Sequence, residues 1–292
     1  MTRSTFVHLR IPFSYFLMPV FLLSACLVDK VDWMNFTISF AIIHLLLYPA
    51  SNAFNSLYDK DTSSIGCLKN PPKVEKDLLG VSLALDAAAV IAGFTISWQF
   101  AAAMLFYGIC SKVYSFDKTR LKRRPVASWV GTALVQGGFI FLAANSAVQP
   151  GGGNTMPDGK ILLAAGIVTI FLMGFYPTTQ IYQHAEDRRR GDRTMSMLLG
   201  IRGTFIFSGL ALLASSALMC MLLGHYHEEK TAIAFMVLQM PAAAYFATWF
   251  MSCLKENDKA DYDHSMRFNV ISATGMTLFC VFFYLSQHHG SF

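Results

Sequence analysis

Two short stretches of this chain carry oxygen donors at helical spacing. In NSLYDKDTSS (55–64), Asn55 and Asp59 are four residues apart and share a face on a helix, with Asp61 just beyond. In QIYQHAEDRRRGDRT (180–194), Gln180, Gln183 and Asp187 recur at helical spacing and again share a face. Glu186 is offset from Asp187 by about 100°. Carboxylate and amide oxygens suit a hard divalent cation. Mg²⁺ is usually held by one or two carboxylates while substrate phosphates complete its octahedron. The candidate metal ligands are therefore Asn55, Asp59, Asp61, Gln183, Glu186 and Asp187. The lysines and arginines around both stretches would meet phosphate oxygens, arginine as a planar fork and lysine as a point charge. The competing reading is a set of solvated charges beside basic loops. For one isolated acid that reading usually holds. Composition alone does not separate the two for a pair of such faces.

The elements that must position these residues are hydrophobic. The chain is 54% hydrophobic and only 14% charged, with a mean hydropathy of +0.44. Soluble domains carry about 25% charged residues, so the balance points to a membrane protein and no nucleic-acid partner is expected. A hydrocarbon core about 30 Å thick needs about 20 apolar residues at 1.5 Å each. Apolar runs of that order fall near 12–29, 33–53, 78–96, 98–115, 126–147, 160–182, 203–224, 230–253 and 268–287, which predicts nine transmembrane helices in an all-α, multi-spanning fold. With the N-terminus cytoplasmic, all of the 23 lysines and arginines except Lys30, Lys160 and Lys230 fall on the cytoplasmic side. The positive-inside rule thus supports the count, an inside N-terminus and an outside C-terminus. Both oxygen-rich stretches then face the cytoplasm. QPGGGNTMPDG (149–159) reads as a loop, and the chain as a single domain over 1–292.

Other residues are weighed against blander roles. The six cysteines show no CxxC and no pairing with histidine, so they read as apolar fillers. LLSAC (22–26) resembles a lipoprotein processing site at Cys26, but a first transmembrane helix is the preferred reading, since cleavage would leave Arg10 without a partner. Asp86, in the middle of the third run, is a functional candidate by position, and the preferred reading is a protonated acid bonded to a neighbouring helix. His184 beside Gln183 reads as incidental. Arg10 and Arg267 sit at cytoplasmic helix ends and could reach a ligand carboxylate, with snorkelling the preferred reading for each. The basic run from Lys118 to Arg124 reads as positive-inside anchoring, above all at Lys122, Arg123 and Arg124. The 25 Phe, 11 Tyr and 4 Trp suit a cavity that shelters a cation and equally suit interfacial belts and ordinary packing.

NSLYDKDTSS resembles the first aspartate-rich motif of the UbiA-type intramembrane prenyltransferases, which reads N, three residues, D, three residues, D. Its flanks YPASNAFNSLYDKD and SIGCLKNPP strengthen the likeness. DRRRGDRT (187–194) is similar to the basic, glycine-containing tail of that family's second motif. The resemblance covers essentially the whole chain. It implies nine helices, two Mg²⁺ ions at a cytoplasmic mouth, and an isoprenyl diphosphate whose tail lies among apolar helices. Asn55 and Asp59 match the first motif and Asp187 the second, so Asp59 and Asp187 are the expected catalytic acids. Two positions depart: the third acid of the first motif falls at Ser63, with Asp61 as the nearest substitute, and the first acid of the second falls at Gln183, where Glu186 would compensate. YGICSKVYSFDKTRLKRRP (107–125) is similar to the segment where a lysine and a tyrosine reach the diphosphate. That implies Lys112 and Tyr114, with Tyr107 a further candidate, while Arg193 is the candidate in the second tail.

The expected function is Mg²⁺-dependent prenyl transfer from an isoprenyl diphosphate to a lipophilic aromatic acceptor, as in quinone biosynthesis, in a bacterial inner membrane. No transit-like leader precedes the first helix. The alternative is a membrane terpene cyclase of the same fold, which needs no acceptor. A transporter is disfavoured because the acids gather at one mouth rather than at the midplane.

Overall fold

A computed structural model describes residues 2–152 and 156–288, so residues 153–155 of the expected 149–159 loop and the C-terminal end lie outside the described residues. The described chain is all-helical, and its one β-type contact is an isolated bridge between Ile65 and Leu68. In order, α1 is Arg3–His8 and a 3₁₀ segment follows at Ile11–Phe16. Then come α2 (Met18–Cys26), α3 (Trp33–Asp59), α4 (Leu78–Gly93) and α5 (Trp98–Ser115). The rest are α6 (Pro125–Ala147), α7 (Gly159–Arg190), α8 (Met195–Tyr226), α9 (Glu229–Lys255) and α10 (Tyr262–His288).

Local chemistry sets the helix starts. Asp32 accepts from the backbone N–H groups of Met34 and Asn35, Ser97 from Phe100, and Asp158 from Ile161, each satisfying donors that a helix leaves free. Pro125 opens α6, where its missing N–H costs nothing. Two helices widen to π-type turns, at Ile42–Leu47 in α3 and Leu134–Phe139 in α6. In α3 the wide turn leads into Pro49, which cannot donate to the preceding turn. In α6 the turn contains Gly138, whose N–H donates to the Thr169 hydroxyl of α7 at 3.1 Å. A Cβ at Gly138 would stand 2.6 Å from that hydroxyl, so only glycine permits the contact.

By length and apolarity, six helices among the described residues can cross a membrane: α3, α6, α7, α8, α9 and α10. The N-terminal pair, bent by 42°, makes a seventh if it is one span. The remaining two of the nine expected spans are shorter. At 1.5 Å per residue, α4 and α5 are about 24 and 27 Å long, just under the hydrocarbon thickness. By contrast α7, with 32 residues, is about 48 Å long, so its acidic end projects past the hydrocarbon.

A large apolar core joins the helices, with Phe205 edge-on to Trp249 and Phe268 tilted against Trp249 where α8, α9 and α10 meet. Leu210, Leu213, Met221 and Ile91 remain exposed, as side chains facing lipid do. The connections after α3, α5, α7 and α9 gather at one end. Ser63 bonds Glu186, Arg120 bonds Asp192, and Lys69 pairs with Asp263. Cys26 is buried with its thiol against the Cys280 carbonyl, as a helix filler would be.

Candidate active site

Asp59 is the last residue of α3, and Lys60 ends the helix in the left-handed conformation (φ 47°). The four-residue spacing places Asn55 and Asp59 side by side, and the Asn55 amide donates to Asp59 Oδ2 at 2.6 Å. On α7 the helix tightens to a 3₁₀ turn at Ile181–Gln183 and resumes as His184–Arg190. Gly191 (φ 72°) then reverses the chain, a conformation without penalty only for glycine. The reversal returns Asp192 to the interior, with its side chain fully buried.

Between these ends lies a basic turn that sequence reasoning assigned to anchoring. Arg120 adopts a left-handed backbone (φ 32°), and Leu121–Arg123 form a 3₁₀ turn before Pro125. The geometry sends Arg120 and Lys122 inward and leaves Arg123 half-exposed. Arg120 grips Asp192 with two bonds, Nε to Oδ1 at 2.8 Å and Nη2 to Oδ2 at 2.9 Å. Lys122 Nζ bridges Asp59 at 2.8 Å and Asp192 at 3.0 Å. Arg190 reaches Asp61 at 2.9 Å. Burial works against the Lys122 ammonium, but Asp59 and Asp192 more than offset it and hold its pKa above the usual lysine value. Burial likewise raises Asp192, yet the Arg120 bonds and the Lys122 charge bring it below the usual carboxylate range. Asp61 behaves differently: burial, then the neighbouring Asp59 charge, push it up to about 6 despite Arg190.

This polar mouth opens into a cavity of about 330 Å³, within the usual range of small-ligand sites, about 300–1,000 Å³. Asn55, Asp59, Asp61, Lys122 and Asp187 line its mouth, while Leu17, Val135, Leu172 and Phe175 line its body. The Tyr114 hydroxyl, on the wall, is hydrogen-bonded to Tyr176, and Tyr107 takes a 3.5 Å bond from Gln136 on the wide turn of α6. Arg10 is buried here as well. It donates to the Asn52 carbonyl and to Asn55 Oδ1, both at 3.2 Å, so it is a bonded wall residue rather than a snorkelling one.

The structure brings Asn55, Asp59, Asp61, Gln183, Asp187, Tyr107 and Tyr114 to one cavity and places three expected residues elsewhere. Glu186 does not line the cavity. One turn position away from Asp187, it binds Ser63 at 3.0 Å and pairs with Arg189, latching the loop after α3 rather than replacing the acid missing at Gln183. Lys112 points to the opposite face of α5, where it pairs with Asp86 and lies 5.0 Å from the Phe54 ring centroid. Asp86 thus meets a neighbouring helix, as expected, but its partner there is the Lys112 ammonium. Arg193 is exposed beyond the Gly191 turn, and Arg120, Lys122 and Arg190 are the inward cations instead. His184 bonds Ser196 at 2.7 Å and does not face the cavity. Arg120, Lys122 and Asp192 were missed because a cationic loop beside a membrane resembles anchoring. The available signal was Asp192, an acid placed directly after a turn glycine opposite that loop.

Among the described residues, no three His, Cys, Asp or Glu side chains assemble a metal site. A cation completed by phosphate oxygens needs only one or two carboxylates. Asp187 offers one: it is 7% exposed, lines the mouth, and makes no ion pair or side-chain hydrogen bond with the described residues. The oxygen donors therefore fit Mg²⁺ shared with a phosphate ligand.

A family profile described as the UbiA prenyltransferase family matches residues 16–271. A UbiA homologue from Archaeoglobus fulgidus, solved bound to GPP and Mg²⁺, superposes with a TM-score of 0.68 at 17% identity, over 96% of this chain and 99% of that one. The structure bound to DMAPP and Mg²⁺ gives 0.65, also at 17% identity, over 96% and 99%. A structure described for digeranylgeranylglyceryl phosphate synthase in membranes gives 0.60 at 13% identity, over 98% of each chain. Curated proteins return no match. At such identities the solved structures establish the fold, and the profile spans most of the sequence: the chain belongs to the UbiA prenyltransferase family.

Proposed function

We propose that this protein is a Mg²⁺-dependent membrane enzyme that transfers an isoprenyl group from its diphosphate to a lipophilic aromatic acceptor. The observation that carries this reading is one cavity with a charged mouth and an apolar body. An isoprenyl diphosphate has the same two-part character. Solved family members bound to GPP or DMAPP with Mg²⁺ support the substrate class and the metal.

At the mouth, Asp59, Asp61, Asp187 and Asp192 face Arg10, Arg120, Lys122 and Arg190, so the protein charges nearly cancel. A diphosphate therefore needs further positive charge. Asp187 and Asp59, with Asn55 and Gln183 beside them, would hold Mg²⁺, which would supply that charge and polarise the leaving group. Lys122 and Arg190 stand ready to exchange part of their carboxylate contact for phosphate oxygens. These fixed charges stabilise the negative charge that grows on the leaving oxygen as the C–O bond breaks, its electron pair going to the diphosphate. The apolar walls exclude water from the allylic cation, and the ring faces of Phe175 and Tyr107 favour it electrostatically. The acceptor ring then forms the new C–C bond and releases a proton.

The finer expectations extend this reading. We take α4 and α5 as two further short spans, making nine in a single domain, with the mouth cytoplasmic in an inner membrane and the product feeding quinone biosynthesis. Lys122→Met should raise the KM for the diphosphate about ten- to hundred-fold, the equivalent of one charge-assisted contact. Lys112→Met and Arg193→Ala should leave it unchanged. Steady-state kinetics on the reconstituted variants checks this. Product analysis tests the function itself. Prenylated acceptor formed only when an aromatic acceptor is supplied supports transfer, whereas a cyclised terpene formed without one would replace it with cyclisation.

A further inference from the structure

Asn269 lies on α10, one turn after Met266, and both residues line the cavity. Its side chain is completely buried, and neither its Oδ1 nor its Nδ2 has a hydrogen-bond partner among the described residues. The other buried side-chain amides among the described residues each have a partner. Asn52 donates to the Leu9 carbonyl, Asn145 to the Ser24 carbonyl, and Gln180 accepts from the Ser196 N–H. A buried carboxamide with both ends unpaired is costly and rare in a structural role. Facing a ligand cavity, it marks the place of a polar ligand group.

The depth of Asn269 decides which ligand. The α10 helix starts at the mouth, where Tyr262 packs edge-on against Tyr182. Asn269 is seven residues further, about 10 Å along the axis. At that level Phe268 packs on Phe175 of α7, twelve residues before Asp187 and about 18 Å up the helix from it. The diphosphate belongs with the cations of the mouth. A prenyl chain has nothing to offer a carboxamide. The remaining polar group is on the acceptor.

We infer that Asn269 is a specificity-determining residue that selects an acceptor by a hydroxyl group on its ring, remote from the diphosphate. The hydroxyl accepts from Nδ2 and donates to Oδ1, which satisfies both ends of the amide at once. A site built to hydrogen-bond a hydroxyl rejects the analogue that lacks its proton. This inference rests on the prenyl-transfer reading.

The test compares a 1,4-dihydroxyaryl acceptor with its mono-O-methyl ether, which keeps one phenol to activate the ring. Full-length protein in lipid is assayed for kcat/KM with each acceptor and for KM of geranylgeranyl diphosphate. Binding of each aromatic is also titrated by intrinsic tryptophan fluorescence, which needs no turnover. Wild type should prefer the dihydroxy compound about ten- to hundred-fold. Asn269→Leu, of similar shape, should erase the preference in both assays while the diphosphate KM stays unchanged. Asn269→Asp, which keeps an accepting oxygen, should retain part of it, and Asn269→Thr serves if the leucine variant does not fold. Equal binding of the two compounds to wild type would overturn the inference. So would an undiminished preference in Asn269→Leu, with prenyl transfer itself left standing. A cyclised product formed without acceptor would overturn the transfer reading and this inference together.

Discussion

Asp187→Asn is expected to lower Mg²⁺-dependent diphosphate release by about 10²–10³-fold, the cost of removing one preorganised electrostatic group. The protein should remain folded and no less thermostable. Asp187 is a buried carboxylate with no cation in direct contact among the described residues, so its charge is a net burden to the fold and an asset chiefly to a bound cation. The amide keeps its volume and one oxygen but loses the charge. The two effects therefore separate, with activity falling while the melting temperature holds or rises. Kinetics and a thermal melt of the same preparation read both. A parallel fall in stability would mean that Asp187 is part of the structural ion network.

Asp192→Asn should show the opposite pattern. Its carboxylate is wholly buried, held bidentately by Arg120 and bonded by Lys122. Removing it leaves Lys122 with Asp59, and Arg120 with the exposed Asp117 and a 3.6 Å contact to Asp59. Breaking a buried pair by deleting one partner costs about 3–5 kcal/mol, and a comparable loss should appear in the melting temperature of the purified variant. The pH dependence runs in the same sense. The folded pKa of Asp192 is held low, so its contribution to stability is complete above the unfolded carboxylate value and is lost as pH falls through the folded one. Wild type should therefore lose this increment on acidification and Asp192→Asn should not. Diphosphate release by Asp192→Asn should fall less than by Asp187→Asn, because Lys122 still has Asp59 at 2.8 Å to hold it at the mouth.

The fold was legible where the physics is one-dimensional. Long apolar runs forecast α3 and α6 to α10, because a hydrocarbon slab makes one demand of every span. The 16-residue α4 is too short for that demand, and the 18-residue α5 is long enough but less apolar. The Asn55 and Asp59 pairing was legible for the same reason, since four-residue spacing fixes a shared helix face. What failed depended on rotation about a helix or on a turn. Lys112 is one residue from Ser111, a cavity-lining position, yet a step of about 100° sends it to Asp86 instead. Glu186 is one step from Asp187 and turns to Ser63. Arg120 and Lys122 face inward because of a left-handed residue and a 3₁₀ turn, which sequence periodicity does not encode. Asn269 gave no signal in the sequence, being one polar residue in an apolar helix, and acquired meaning only when the cavity defined its surroundings.

Diphosphate release from geranylgeranyl diphosphate by protein reconstituted in lipid, with and without Mg²⁺, bears most directly on the role given to the mouth. The measurement compares wild type with Asp59→Asn, Asp187→Asn and the exposed-site control Arg193→Ala. Release that requires Mg²⁺, survives Arg193→Ala and is lost in both aspartate variants is the expected result. Release indifferent to Mg²⁺, or retained in the two aspartate variants, would contradict it.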